Sequence, residues 1–392
     1  MTFFPWRTKL RLVRSLVTKD QPVYVQFYVT ARCNLACEQC NIIYSNADVT
    51  EIPIEGVRKI AENLDRIGVS IVLLTGGEPF ARRDLPQIVA EFARRNIHVR
   101  IQTNGLATRE ALTACRDAGA KDISISLDSL QPDVQDRING EFAGSWSRAV
   151  DTLALVNDVF PADSFAALGC VMAPRNLEFI PDLIRFATGI GWFVSLVPAH
   201  TAPQHRPAGF RSLDETCRFQ PVQYQRVKEV LDEVRRLRES GHLLYDSEPY
   251  LEDMLRFVRG EPVRWRKRND GVCDSPNLYF AILPNGRMSV CCDLRMNSDI
   301  SAAAPDFPER FNADATRDEA RGIAAQCGGC LYGSFPEMTI TARWFRPLMQ
   351  RALFFNTRRP GGLARMSPAE MHALAGSIRD HNRALYAGPT AG

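Results

Sequence analysis

No apolar run in these 392 residues approaches the roughly 20 that a membrane-spanning helix needs, and no secretory signal opens the chain. The net charge of +3 is too small to argue for a nucleic-acid partner, and none is expected. The eleven cysteines are not spread as a secreted disulfide framework, and none follows Cys330. They gather at cofactor-like spacings instead, which makes a reducing cytoplasm the expected compartment. With 45% apolar and 24% charged residues the chain reads as an ordinary globular protein, one large domain with an appendage or two domains.

What is present is organised around Thr30-Ala-Arg-Cys-Asn-Leu-Ala-Cys-Glu-Gln-Cys40, where Cys33, Cys37 and Cys40 stand at C-x3-C-x2-C spacing after an apolar run over 23–29. Thiolates are soft ligands that suit iron–sulfur clusters and zinc. Three on one loop leave the fourth iron of a cube open, whereas a structural zinc would need a fourth protein ligand. Three unrelated buried thiols are the plain alternative. About forty residues on, Ser70-Ile-Val-Leu-Leu-Thr-Gly-Gly-Glu-Pro79 reads as a buried strand entering a diglycine turn. Gly76 and Gly77 would let backbone approach a ligand closely, and Glu78 offers a carboxylate to an ammonium group.

The cysteine loop and the GGEP turn, in this order and at this separation, resemble the radical SAM superfamily. That resemblance implies a [4Fe–4S] cluster on Cys33, Cys37 and Cys40, whose open iron is chelated by S-adenosylmethionine, with Gly76, Gly77 and Glu78 at its amino group. From 23 to about 200 the chain alternates short apolar runs (23–29, 70–74, 98–102, 122–127, 166–172, 193–197) with helical periodicity (53–67, 85–95, 109–118, 147–159, 177–188). Six βα units predict an α/β fold with a parallel sheet and ligands at the strands' carboxyl ends. This matches the family's open, TIM-like (β/α)6 partial barrel. By the same resemblance Gln102, Asn104 and Ser126, at the ends of the third and fourth strands, are expected near the ribose and carboxylate of the cofactor, and Arg137 is expected to pair with that carboxylate. The family usually has an aromatic before the third cysteine; this chain has Gln39.

Residues 201–268 read as a connector, with a loop carrying His205, a charged helix over 221–238 and a basic run over 264–268. A second set of thiols follows: Cys273, then Gly286, Cys291 and the pair Cys327 and Cys330. Asn285-Gly286 between apolar runs signals a tight hairpin that would draw Cys273 towards Cys291. Four thiolates suit zinc or a complete cluster. The spacing resembles the auxiliary-cluster domain of radical SAM enzymes in its shorter twitch form, which implies one auxiliary [4Fe–4S] cluster; the longer SPASM form needs cysteines that are lacking here. Cys292 is a spare, and Cys115, Cys170 and Cys217 read as core thiols. The expected division is a basic N-terminal segment (1–21), the core barrel (22–200), the connector (201–268), the auxiliary-cluster domain (269–340) and a basic-aromatic tail (341–392).

Trp6, Leu10, Val13 and Val17 stand at helical spacing among arginines, and Trp344, Phe345, Leu348 and Leu353 mix with arginines in the tail. The favoured expectation is a helix packed on the barrel; the alternative is peripheral contact with the inner face of a membrane. The resemblance implies reductive cleavage of S-adenosylmethionine to a 5′-deoxyadenosyl radical that abstracts hydrogen from an unactivated carbon. A one-electron donor such as flavodoxin or ferredoxin would supply the electron, and the auxiliary cluster would make the net reaction oxidative. A small or lipid-like metabolite is the first expectation for the substrate, because only about twenty residues precede the first strand. A ribosomally made peptide undergoing cross-linking or epimerisation is the alternative, and a non-catalytic Fe–S carrier is the third reading. No general acid or base is identifiable; His200, His205, Asp293 and Glu337 are polar candidates only.

Overall fold

The computed structural model describes residues 4, 6–40, 49–200, 217–263, 273–356 and 362–386. Helix α1 (Trp6–Thr18) precedes six strands, β1 (Tyr24–Thr30), β2 (Ile71–Gly76), β3 (His98–Thr103), β4 (Asp122–Ser126), β5 (Ala166–Met172) and β6 (Phe193–Pro198). Between them lie α2 (Ile54–Arg66), α3 (Leu85–Ala93), α4 (Arg109–Asp117), α5 (Pro132–Ile138), α6 (Ser145–Val159) and α7 (Ile180–Gly189). The expected charged helix is α8 (Tyr224–Glu239), entered through a 3-10 turn at Pro221–Gln223, and α9 (Glu248–Val258) follows. The rest comprises β7 (Tyr279–Ile282), β8 (Met288–Ser289), α10 (Phe307–Asn312), α11 (Asp314–Ala325), α12 (Ser334–Arg343), α13 (Phe345–Asn356) and α14 (Pro368–Tyr386). His205 and the basic run 264–268 lie outside the described residues.

The sheet runs β6-β5-β4-β3-β2-β1-β7-β8, with parallel pairing throughout except between β7 and β8. The six parallel strands form the expected α/β partial barrel. The hairpin, expected inside a separate small domain, instead joins this sheet: β7 pairs with β1 in parallel over Tyr24–Phe27. An open edge at β1 would present unpaired backbone groups, and β7 satisfies them.

Period-two alternation sorts each strand's side chains. Val25, Phe27 and Val29 of β1 are fully buried in one core with Val57, Ile60 and Leu64 of α2, spaced to share a helix face. The alternate set turns into the barrel: Gln26 and Tyr28, Arg100 and Gln102, Ser124 and Ser126, Ser195 and Val197. The barrel interior is therefore polar at its carboxyl end.

The helix expected at the amino terminus forms, but its orientation differs from the expected packing. Thr8 and Ser15 of α1 are buried, whereas Trp6, Leu10, Val13 and Val17 face outward, as does Trp344 after α12. The inward face of α1 carries Leu12 and Leu16 instead, against a cavity at the strand starts that Val23, Tyr24 and Ile71 share with the charged and polar His98, Arg100 and Asp122. Pro347 sits in the first turn of α13, where its missing N–H costs nothing.

Candidate active site and cluster centres

Cys33, Cys37 and Cys40 follow β1 and open on a cavity of about 350 Å³ at the strands' carboxyl ends. Gly76, Gly77, Gln102, Asn104 and Ser126 line the same cavity. The cysteine loop is held against the diglycine turn by backbone bonds: Gly77 N–H donates to Thr30 O at 2.8 Å and Glu78 N–H to Arg32 O at 2.8 Å. Glycine is required here for two reasons. Gly76 has φ +148°, and a Cβ would lie 2.2 Å from Thr30 O; at Gly77 it would lie 2.2 Å from Arg32 O.

Arg82 fixes this corner from behind. Its buried guanidinium donates to Val29 O (2.8 Å) and Ile52 O (2.7 Å) and pairs with Asp84. Arg32 and Thr30 meet Glu51 on the outer side, Arg32 through two bonds of 2.7 and 2.9 Å. Sulfur atoms receive or make bonds of their own: Leu35 N–H donates to Cys33 Sγ at 3.4 Å, Asn104 Nδ2 lies 3.8 Å from it, and Cys37 Sγ is 3.5 Å from Asn139 Oδ1. Burial and the neighbouring Cys40 push the Cys37 thiol far above its ordinary pKa, so its thiolate needs a compensating cation such as cluster iron.

Glu78 occupies a different place from the expected one. Its carboxylate is buried, accepts from Phe80 N (3.0 Å), Thr103 Oγ1 (2.8 Å) and Asn104 N (2.7 Å), and does not line the cavity. It clamps the end of β2 to the end of β3, and burial raises its pKa to about 7 despite those three donors. Backbone of the diglycine turn, rather than this side chain, faces the cavity. Arg137 is also elsewhere: it lies on α5, half exposed, 3.8 Å from Glu141, and away from the cavity. Gln39 takes the place of an aromatic and donates to Asp128 Oδ2 at 3.0 Å, tying the cysteine loop to the end of β4.

Several cavity residues escaped the motif-based reading. Arg100 reaches into the barrel below Gln102, its guanidinium 4.2 Å from the Phe165 ring and 3.9 Å from Asp122. Asp128, buried and raised to about pKa 6 by that burial, accepts from Val171 N at 2.6 Å. Tyr28, Ser124 and Ser195 complete the polar wall. The period-two rule applied to each strand from its known interior member would have found Arg100, Ser124 and Tyr28. Asp128 and Asn139 lie beyond strand ends, where no period operates.

The second thiol set converges too. Cys273, Cys291 and Cys327 border one small apolar cluster of Val290, Leu294, Ala320 and Ala324. The charge of Cys291, Cys327 and Cys273 is felt at Cys330, which places all four in one neighbourhood. Leu294 N–H and Gly329 N–H donate to Cys291 Sγ and Cys327 Sγ at 3.4 and 3.3 Å. Among the described residues no three His, Cys, Asp or Glu side chains are gathered as a single metal ion requires. Cys292 touches Cys291 of this set through its thiol, is buried beside Tyr28 and Tyr332, and also lines the barrel cavity. Cys115 and Cys170 are core thiols. Of the polar candidates, His200 is half-buried, stacked on Tyr332, and its Nε2 accepts from Leu331 N at 2.8 Å. Glu337 is buried against Arg351 at the opposite end of the barrel.

A parallel α/β barrel with three thiols and a glycine cradle at its strand ends belongs to the class that binds cofactors at that rim. The sequence model of the Radical SAM superfamily matches residues 27–187, and the chain carries a domain of that catalytic superfamily, which uses a [4Fe–4S] cluster and S-adenosylmethionine. The chain is 30% identical over 171 residues to the PqqA peptide cyclase of Rhodopseudomonas palustris, covering 43% of this chain and 44% of the relative. It is 33% identical over 172 residues to the GTP 3′,8-cyclase of Marinobacter nauticus, covering 42% and 50%. These alignments span about half the length of the curated relatives. Streptococcus suis SuiB bound to precursor peptide SuiA shares the fold, with a TM-score of 0.57 at 17% identity over 83% of this chain and 77% of that one.

Proposed function

We propose that this protein is a radical SAM enzyme that modifies a ribosomally made peptide by oxidative bond formation. The observation that carries the catalytic part is the cavity in which Cys33, Cys37 and Cys40 meet the glycine backbone of residues 76 and 77. Residues 22–200 would be the core that holds the cofactor, and 269–340 an auxiliary-cluster unit of the twitch kind. When bound, the cluster and S-adenosylmethionine supply a 5′-deoxyadenosyl radical that takes one hydrogen atom from the substrate. The chain's own residues bind and orient. Gly76 and Gly77 admit the amino group close to backbone, Asn104 and Ser126 offer polar contacts, and Gln102 is held towards Ser126 at 3.2 Å. Arg100 presents a cation deep in the cavity for an anionic group of the substrate.

Cys273, Cys291, Cys327 and Cys330 would hold the second cluster. Four thiolates suit zinc or a cube, and the twitch-like spacing of Cys273, Gly286, Cys291, Cys327 and Cys330 favours the cube. That centre would accept the second electron as the substrate loses a proton, so that one new bond costs the substrate two hydrogen atoms. A flavodoxin or ferredoxin is the expected reductant. The peptide reading rests on the PqqA peptide cyclase relative and on the SuiB fold, and displaces the metabolite first expected. The GTP 3′,8-cyclase relative keeps a small anionic metabolite as the second reading. The test is anaerobic incubation of the reduced protein with S-adenosylmethionine and candidate precursor peptides, with nucleotides in parallel. A peptide lighter by two hydrogen atoms, formed with 5′-deoxyadenosine, supports the proposal. Turnover confined to nucleotides overturns the peptide part, and no 5′-deoxyadenosine in any arm restores the non-catalytic carrier.

A further inference from the structure

We propose that the protein docks on an anionic phospholipid bilayer through the amino-terminal end of its barrel, with the catalytic mouth held towards water. Trp6, Leu10, Val13 and Val17 fall within a sector of about 60° on α1 at 100° per residue. They are 57–76% exposed, while Thr8 and Ser15 on the opposite side are buried. Leu12 and Leu16 turn inward as on an ordinary surface helix, so the Trp6, Leu10, Val13 and Val17 stripe is a second apolar face left outside the core. On α13, Phe345, Met349 and Leu353 repeat every four residues and are likewise exposed, beside Trp344.

Both helices border one apolar cavity of about 250 Å³ at the strand starts, lined by Leu12 and Leu16 from α1, Leu348 from α13, and Tyr24 and Ile71 from β1 and β2. The two outward stripes therefore share one end of the barrel. Cys33, Cys37 and Cys40 border the other cavity, at the strands' carboxyl ends. Arg100, Tyr245 and Ser334 stand between the two cavities.

Charge selects the occupant. Neither α1 nor α13 contains an aspartate or glutamate, and Arg14 and Arg346 are exposed beside the stripes. A second copy of the same face would bring these cations against each other, whereas anionic head groups complement them. Among the described residues no helix is long and apolar enough to cross a membrane, so the contact is peripheral. The orientation has a consequence for the chemistry: a lipid dissolved in that bilayer would meet the wrong end of the barrel, and substrate enters from the aqueous side. The docking proposal stands apart from the peptide reading, since it needs no particular substrate.

The test uses the full chain loaded with its clusters and vesicles of phosphatidylglycerol mixed with phosphatidylcholine, against phosphatidylcholine alone. Co-sedimentation with the anionic vesicles is expected at low salt and should fall as salt rises. The exposed-site variant Leu10→Glu/Val17→Glu should lose it. Arg14→Glu/Arg346→Glu, which leaves the apolar stripes untouched, should weaken it by at least fivefold for each cation lost. Brominated acyl chains should quench tryptophan fluorescence in the wild type, and less in Trp6→Phe. Formation of 5′-deoxyadenosine in solution should be the same in all variants. Protein that ignores anionic vesicles at low salt overturns the proposal. So does a vesicle-free dimer that Leu10→Glu/Val17→Glu dissociates, because the face would then be a self-interface.

Discussion

Gly76, Gly77 and Glu78 are adjacent, yet they act through different physics. The glycines leave room that any Cβ would fill, with carbonyl oxygens 2.2 Å away. Gly77→Ala is expected to displace the cysteine loop, because backbone rather than a flexible side chain must yield. The measurement is iron content and S-adenosylmethionine affinity after anaerobic reconstitution, both of which should drop while Gly322→Ala, at a site open to solvent, changes neither. Glu78 is a buried clamp for three donors. Glu78→Ala leaves Asn104 N–H and the Thr103 hydroxyl without their acceptor, a loss of roughly 1–3 kcal/mol of stability read from a denaturant midpoint. Glu78→Gln should recover part of it, which a direct salt bridge to the cofactor would not allow.

The hairpin β7–β8 and helix α12 together carry the second thiol set to the edge of the barrel. Arg343, at the end of α12 with its side chain fully buried, pairs with Asp274 next to Cys273 at 3.1 Å. Tyr279 of β7 donates or accepts with Thr339 of α12 at 2.8 Å and receives Asp274 N–H at 3.0 Å. These bonds fix Cys273 relative to Cys291 across elements that lie far apart in the chain. Arg343→Met would leave Asp274 without its partner, a loss of roughly 3–5 kcal/mol for a buried pair broken on one side. The expected result is loss of the auxiliary iron with the Cys33, Cys37 and Cys40 cluster retained, seen as a halved iron count with 5′-deoxyadenosine formation still detectable. An unchanged count would show that the second set does not depend on this pair.

The whole molecule is a barrel with a thiol-bearing mouth, a second thiol set on its β7 edge, and charged groups buried along its axis. Reconstituted protein is expected to hold about eight irons, the sum of two cubes, and the Cys33/Cys37/Cys40→Ala variant about four; stoichiometric zinc in place of the second four would refute the auxiliary cluster. The axial charges make stability depend on pH. Asp246 accepts from Leu196 N at 2.7 Å and Ser195 Oγ at 3.0 Å, and burial, reinforced by nearby Glu337, raises its pKa from 3.8 to about 8. The folded state therefore keeps a proton that the unfolded chain releases above pH 3.8. The stabilising contribution is complete below that value and fades as pH rises to about 8, with a slope of up to about 1.4 kcal/mol per pH unit. Urea midpoints between pH 5 and 9 should fall with pH in the wild type and fall less in Asp246→Asn.

Local chemistry determined much of this protein. The spacing of Cys33, Cys37 and Cys40, the diglycine after an apolar run, and six alternations of strand and helix are short-range patterns, and the barrel and its rim followed from them. The Asn285-Gly286 hairpin was legible for the same reason. Tertiary structure decided what depends on direction and distant neighbours. Only packing turns Glu78 away from the cavity into the β2–β3 junction, because its three donors arrive from Phe80, Thr103 and Asn104. Only strand pairing could show that β7 closes the edge of β1 rather than standing in a domain of its own. The helical period of α1 marked an amphipathic stripe but not which way it faces, since rotation about a helix axis is set by what lies beneath. Beneath α1 lie Val23, Tyr24 and the polar starts of β3 and β4, so Leu12 and Leu16 went inward with Thr8 and Ser15, and the stripe of Trp6, Leu10, Val13 and Val17 was left to the solvent.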